Sequence, residues 1–324
     1  MLSHSPSPLP VFQVTFANFR VPRSALLDRF CSFAPSEGEA TAAKANNEEK
    51  AAPKGMVYAT RLPKGVSRML DLLIFRLLTG RIVLSEATTS MVLGRLRRNW
   101  AYCQNRELWK GRKPEGPKMA TMPLTSACFR DYGRSLAIVA AFVAETREVV
   151  ADSIRRDQFT YDTVEATCMC KFLGTGFGVD ASSAVRKIMG ARALQAESGL
   201  GAESFLPNAT SAAEGDNTIM ELKIVQDAFR GRTSKIPFEL MWRTVGCASG
   251  RKASAAYMCR LVKAIWLGKQ ALKDGQLLKD LAWARAHLRV IDVWLQVNKK
   301  DPSKQAWIDS YGKVLVQFPA PLQC

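Results

Sequence analysis

A mostly α-helical chain is predicted from three observations. After residue 66 nearly every apolar pattern recurs at helical spacing, and the breaks between patterns fall at Gly, Pro or Asp-Pro. One long segment carries Leu277, Leu281, Ala284, Leu288, Ile291 and Leu295 at intervals of four, three, four, three and four, a seam that must face another helix. Period-two alternation is confined to residues 11–21, where Val11, Gln13 and Thr15 oppose Phe12, Val14 and Phe16.

Taken in chain order, the first element is that strand, ended by Pro22. Residues 35–54 shift to Ala, Glu, Asn and Lys between prolines. Such a stretch buries too little apolar surface to offset its chain entropy, so a mobile loop and an internal boundary are expected there. Helices are then expected over 67–106, 124–155, 163–172, 181–198, 218–230, 237–247, 253–273 and 276–299, the last stopped by Asp301-Pro302. No second strand is expected after residue 22, and no internal repeat is visible. Gly174-Thr-Gly176-Phe-Gly178 reads as a flexible connection, since no strand precedes it and no Lys-Ser/Thr follows to make a phosphate cradle. The seam of the last long helix spans only about three heptads, so internal bundle packing is expected over an exposed coiled coil.

Composition bounds the function. The 324 residues suffice for one large or two ordinary domains, and 47% hydrophobic with 23% charged residues is the balance of a soluble protein. The longest strongly apolar run, residues 136–144, is far short of the ~20 residues of a membrane span. A net charge of +17, from 46 basic and 29 acidic residues, favours a phosphate-bearing partner, either nucleic acid or the ADP part of a coenzyme. Eight cysteines without a CxxC pair, and only His4 and His287, argue against zinc and for free thiols in a reducing compartment. Neither an apolar leader at the N-terminus nor a peroxisomal address at Pro321-Leu322-Gln323-Cys324 is readable. The basic stretch 95–118, interleaved with Trp100, Tyr102 and Trp109, could stack on single-stranded nucleic acid. No recognised nucleic-acid module accompanies it, and no such partner is expected.

The residues with chemical promise centre on Glu214-Gly215-Asp216-Asn217-Thr218. Removing a proton α to a thioester needs a carboxylate held against an apolar wall, because desolvation makes it a stronger base. Ala212, Ala213 and Gly215 are small enough to let a flat ligand approach. The competing reading is a helix start: Ser211-Ala-Ala-Glu214 and Thr218-Ile-Met-Glu221 both match a capping box. Arg106 is either a phosphate-binding guanidinium or one more surface charge beside Arg97, Arg98 and Lys110. His287 reads as a packing or surface histidine.

These segments, in order, resemble acyl-CoA oxidases, the peroxide-producing branch of the acyl-CoA dehydrogenase superfamily. Phe16-Ala-Asn-Phe-Arg20-Val-Pro22-Arg23-Ser-Ala-Leu-Leu is similar to the family's exit from its middle β-domain, and Gly80-Arg81 to the pair that opens its first long helix. Tyr102-Cys-Gln-Asn-Arg106-Glu-Leu-Trp109 resembles a flavin-contacting segment. Gln195-Ala-Glu-Ser198-Gly199-Leu-Gly201 resembles the turn before the catalytic glutamate, and Glu214-Gly-Asp-Asn-Thr218 the signature holding it. The resemblance implies an acyl-CoA dehydrogenase/oxidase-type helical bundle over 66–230 and a second helical domain over 231–324. These follow a residual β-strand region over 1–34 and a mobile loop over 35–65, with most of the β-domain that would hold the flavin ring absent. It implies FAD, an acyl-CoA substrate, a homodimer and a peroxisomal location. Glu214 would be the base, with Arg106, Trp109, Gln195, Gly199, Asp216 and Thr218 on the cofactor, Arg106 reaching that of the neighbouring subunit. Ser198 stands where the family has glycine, the connection from Gly201 to Glu214 is short, and it lacks the family's arginine-aspartate element. A non-catalytic helical module or oligomerisation partner is the alternative.

Overall fold

A computed structural model describes residues 31–35, 56–60, 69–109, 116–156, 158, 160–201, 205–233, 237–305 and 307–315. The strand expected at 11–21 lies outside these residues. Two short strands do occur, β1 (Cys31–Pro35) and β2 (Met56–Thr60), paired antiparallel with Phe33 opposite Tyr58. This corrects the expectation of no strand after residue 22, and it places a strand inside the 35–65 stretch read as loop. The Ala/Glu/Lys-rich residues between the strands dominate the local composition, whereas Met56-Val-Tyr-Ala-Thr60 itself has the β-branched and aromatic content that pleated pairing favours.

The other regular elements described are helices. Three long antiparallel-connected helices, α1 (Met69–Asn105), α2 (Pro123–Arg155) and α3 (Tyr161–Met189), pack on one another. The short α4 (Phe205–Ala212) and α5 (Asn217–Phe229) lie against α3. Beyond them come α6 (Phe238–Thr244), α7 (Ala248–Leu267), α8 (Gly275–Val297), α9 (Pro302–Gln305) and α10 (Trp307–Leu315). Local chemistry fixes several ends: Pro123 occupies the first turn of α2, the Thr160 hydroxyl accepts from the Thr163 N–H at 3.2 Å, and Asp274 accepts from Leu277 N–H at 3.0 Å. The seam residues Leu277, Leu281, Ala284, Leu288 and Ile291 are buried, with α8 packed among α2, α5, α6 and α7. The bundle-packing reading of that seam therefore holds.

The structure overturns the break expected at residues 174–178. α3 runs without interruption through all three glycines, of which Gly174 and Gly178 are buried in the bundle. A Cβ on Gly174 would lie 2.8 Å from the Ser85 Cβ, and one on Gly178 2.5 Å from the Thr88 Cγ2. The glycines thus let α3 sink against α1, and this close crossing outweighs their poor helix propensity. The crossing is tied by the Ser85 hydroxyl, which lies 2.8 Å from the Arg81 carbonyl and 3.0 Å from that of Cys170. The helix expected over 181–198 stops earlier, at Gly190 with φ +53°, and continues as two 3-10 turns, Gly190–Leu194 and Ala196–Ser198.

His287 is a packing residue. Its Nδ1 is 2.7 Å from the Tyr311 hydroxyl, its ring meets Phe177 edge-on, and burial pushes its pKa down to about 3. Among the described residues no helix is long and apolar enough to cross a membrane, and no group of three His, Cys, Asp or Glu could hold a metal.

Candidate active site

The turn between α4 and α5 carries Glu214. Its φ of +54° makes it the one non-glycine among the described residues with positive φ, a conformation costing about 1–2 kcal/mol, and Gly215 follows at +97°. Three neighbours hold this turn. Lys171, fully buried on α3, donates from Nζ to the carbonyls of Ser211 and Gly215 (2.6 Å to the latter) and to the Asn217 Oδ1 at 2.8 Å. Arg81, also buried, donates from Nε to the Glu214 carbonyl at 3.3 Å. The Asp216 carboxylate caps α5 by accepting the Thr218 N–H at 2.8 Å, and hydrogen bonding from Thr218, through its side chain first and its backbone second, holds the Asp216 carboxyl below its ordinary range. Asp216 is therefore the cap of α5, in place of either capping box expected from the sequence. Ser211 instead bonds the Asn208 carbonyl within α4.

Burial lowers the Lys171 pKa to about 8. At neutral pH the ammonium retains its proton, and its three donors meet three oxygens, the condition under which a buried charge is tolerated. Lys171 was missed in the sequence. The available signal was a lone cation inside the apolar run from Cys168 to Leu173.

The Glu214 side chain folds against α1 at Gly80: a Cβ there would lie 2.8 Å from the Glu214 Cδ and 3.0 Å from its Oε1. Gly80-Arg81 and Glu214-Gly215, two motifs more than a hundred residues apart, thus form one contact, with glycine leaving the space and arginine holding the backbone. The carboxylate itself is exposed. The described residues set it beside a glycine instead of the apolar wall expected from the sequence, so desolvation has to come from whatever binds over it.

The remaining candidates gather at the other end of α1. The Asn99 side chain donates to the Ser198 carbonyl at 2.9 Å, and the Arg192 guanidinium lies over the Tyr102 ring at 4.8 Å while bonding the Gln195 side chain. Gly199 adopts φ +65°. Ser198, in the family's glycine position, is buried and closes its own turn, donating to the Gln195 carbonyl at 2.8 Å and accepting from the Leu200 N–H at 3.1 Å. A hydroxyl that bonds within the turn explains why serine fits here. Arg106 and Trp109 are exposed just beyond α1, where a bridge between Glu107 and Lys118 sets the backbone. Gly80 and Asn99 are 19 residues apart, about 29 Å along a helix. One chain therefore sets Glu214, Asp216 and Thr218 in one turn, and Gln195 and Gly199 in a second turn on the C-terminal part of α1, the helix end that Arg106 and Trp109 follow.

No protein-family model matches the sequence, and no curated protein does. Solved structures do match. Acyl-CoA oxidase 1 of Arabidopsis thaliana superimposes with a TM-score of 0.60 at 16% identity, over 81% of this chain and 46% of that one. An acyl-CoA oxidase from tomato, Lycopersicon esculentum, gives 0.60 at 15% over 82% and 46%, and an acyl-CoA dehydrogenase from Bacillus anthracis complexed with FAD gives 0.59 at 16% over 89% and 55%. The chain has the fold of the helical C-terminal domains of acyl-CoA oxidases and dehydrogenases, and it spans about half the length of the structures it matches.

The donor set suits a flavin dinucleotide in kind. An exposed guanidinium matches a pyrophosphate, an exposed indole matches a planar ring, and the left-handed glycine of the 195–201 turn permits close backbone approach.

Proposed function

We propose that this chain is the helical part of an acyl-CoA-oxidising flavoprotein of the oxidase type, converting acyl-CoA to trans-2-enoyl-CoA. Support comes from one contact above all: the Gly80-Arg81 pair against the Glu214 turn, two segments chosen from the sequence for the same resemblance and found touching in the fold. In this reading the Glu214 carboxylate takes the proton from the α-carbon, and the electrons of that C–H bond form the new double bond as hydride leaves the β-carbon. When bound, FAD would supply the hydride acceptor, and oxygen as the terminal oxidant would account for hydrogen peroxide. Asp216 and Thr218 shape the cofactor side of the Glu214 turn, while Arg106, Trp109, Gln195 and Gly199 hold the dinucleotide of a second subunit. The separation of the two groups along α1 supports that division and with it a homodimer. A peroxisomal location belongs to the same reading.

A second reading, a non-catalytic helical module of this fold, draws on the exposure of Glu214 and on the half-length match. Flavin content of the purified protein, with and without added FAD, separates the two. Stoichiometric flavin is expected, with acyl-CoA-dependent peroxide formation that falls by about 10²–10⁴ in Glu214→Gln at unchanged flavin content. Absence of flavin from both samples would rule out an oxidase formed by this chain alone and leave the module.

A further inference from the structure

The segment from Val245 to Lys273 contains six cations, Arg251, Lys252, Arg260, Lys263, Lys269 and Lys273, and no Asp or Glu. Most of it is α7, whose inner face is settled: Ala253, Tyr257, Leu261 and Ala264 are buried, and the helix packs along α8. Its outer face is not polar. Ala255, Cys259, Val262 and Trp266 follow one another at intervals of four, three and four, which lines them along a single stripe. Val262 is 60% exposed, Ile265 beside it 64% and Trp266 84%, and Leu272 in the following 3-10 turn is 53% exposed. Lys252 and Lys263, both exposed, lie along one edge of this stripe and Arg251 along the other. Of the cations on α7, Arg260 spends its charge on Asp280 at 3.0 Å.

We propose that this face docks on an anionic lipid bilayer, with α7 lying in the plane of the membrane surface. An apolar stripe with an indole at its end enters the headgroup boundary, and the flanking ammonium and guanidinium groups meet lipid phosphates and carboxylates. Charge decides against a second copy of the chain. Two such faces brought together would oppose their lysines with no carboxylate from either segment to pair them, in a protein of net charge +17. The helix is already committed to the bundle on its other side, so the contact is peripheral and does not need a span. This inference is independent of flavin binding.

The test is co-flotation of the whole chain with vesicles of phosphatidylcholine alone and with about 30% phosphatidylserine. Binding is expected only to the anionic vesicles and should be lost in about 0.5 M salt. The Val262→Ser/Trp266→Ser variant keeps the full charge and alters only exposed side chains. It should bind at least about tenfold more weakly, as should Lys252→Glu/Lys263→Glu. Undiminished binding of the serine variant would assign the effect to net charge alone and overturn the proposal. Absence of vesicle binding would overturn it too. In that case light scattering coupled to gel filtration assigns the face to a second copy if Trp266→Ser dissociates a dimer, or to an acidic protein partner if the chain is monomeric.

Discussion

At the scale of single residues, the strained backbone of Glu214 is held from two sides. A non-glycine in the left-handed region persists only where its surroundings over-determine it, and here Arg81 and Lys171 anchor the carbonyls of Glu214 and Gly215. Gly80 then governs where the carboxylate rests. In Gly80→Ala the new methyl would meet the Glu214 Cδ at 2.8 Å, and the flexible, exposed end of that side chain is what gives way. Helix propensity gains up to about 1 kcal/mol from the same change. The expected outcome is a thermal midpoint unchanged or raised, with acyl-CoA turnover of the flavin-loaded protein reduced at least about tenfold. Full turnover in this variant would detach the observed Glu214 position from function. Glu214, Gly80 and Arg81 were all legible in the sequence as motifs. That they touch was not, because nothing in either segment encodes the distance between them.

At the scale of elements, the α4–α5 turn depends on a helix that it does not adjoin in sequence. Lys171→Met would keep most of the side-chain volume while leaving the Ser211 and Gly215 carbonyls and the Asn217 Oδ1 short of a donor. Removing a buried ammonium offsets part of that loss, so global stability should fall by only about 1–2 kcal/mol. Amide exchange in residues 212–218 should quicken by about tenfold or more while the middle of α3 stays protected, as hydrogen–deuterium exchange would show. The same helix shows where sequence reasoning stopped. The bounds of α2, α5 and α8 fell within a residue or two of those expected, because caps and periodicity there act locally. In α3 the three glycines argue for a break on every local criterion, and the reason for their being helical lies on other helices: Ser85 and Thr88 of α1 against Gly174 and Gly178, and Trp283 of α8 against Gly176. α4 escaped notice for the opposite cause: eight residues with Pro207 inside them are too short to show a period.

For the whole molecule, one contiguous apolar cluster links α1–α3 and α5 with α7, α8 and α10, and His287 is buried against its Phe177 and Tyr311. With a folded pKa near 3 against an ordinary 6.5, this imidazole is neutral in the folded chain while the unfolded chain takes up a proton. Its contribution is therefore fully present above pH 6.5 and is lost as pH falls from 6.5 towards 3. Asp180 acts in the opposite sense. Burial raises its pKa to about 6, so its contribution is present below the ordinary carboxylate value and lost as pH rises through 6. Comparison with His287→Phe isolates the histidine. Between pH 6 and 4 the wild-type unfolding free energy should drop more steeply than the variant's by about 1.4 kcal/mol per pH unit, one proton's worth, in urea titrations. Parallel slopes would mean that the buried ring is already charged.

The length of α1 has a consequence of its own. Its 37 residues extend about 55 Å, with the Glu214 turn seated about a third of the way along and the 195–201 turn near the C-terminal end. Both seats are on the same rigid rod, so inserting or deleting one residue between Gly80 and Asn99 would swing one seat about 100° around the axis relative to the other. Substitutions along this stretch are graded in effect, but changes in its residue count are not. The count acts as a phase relation that the two halves of the site share.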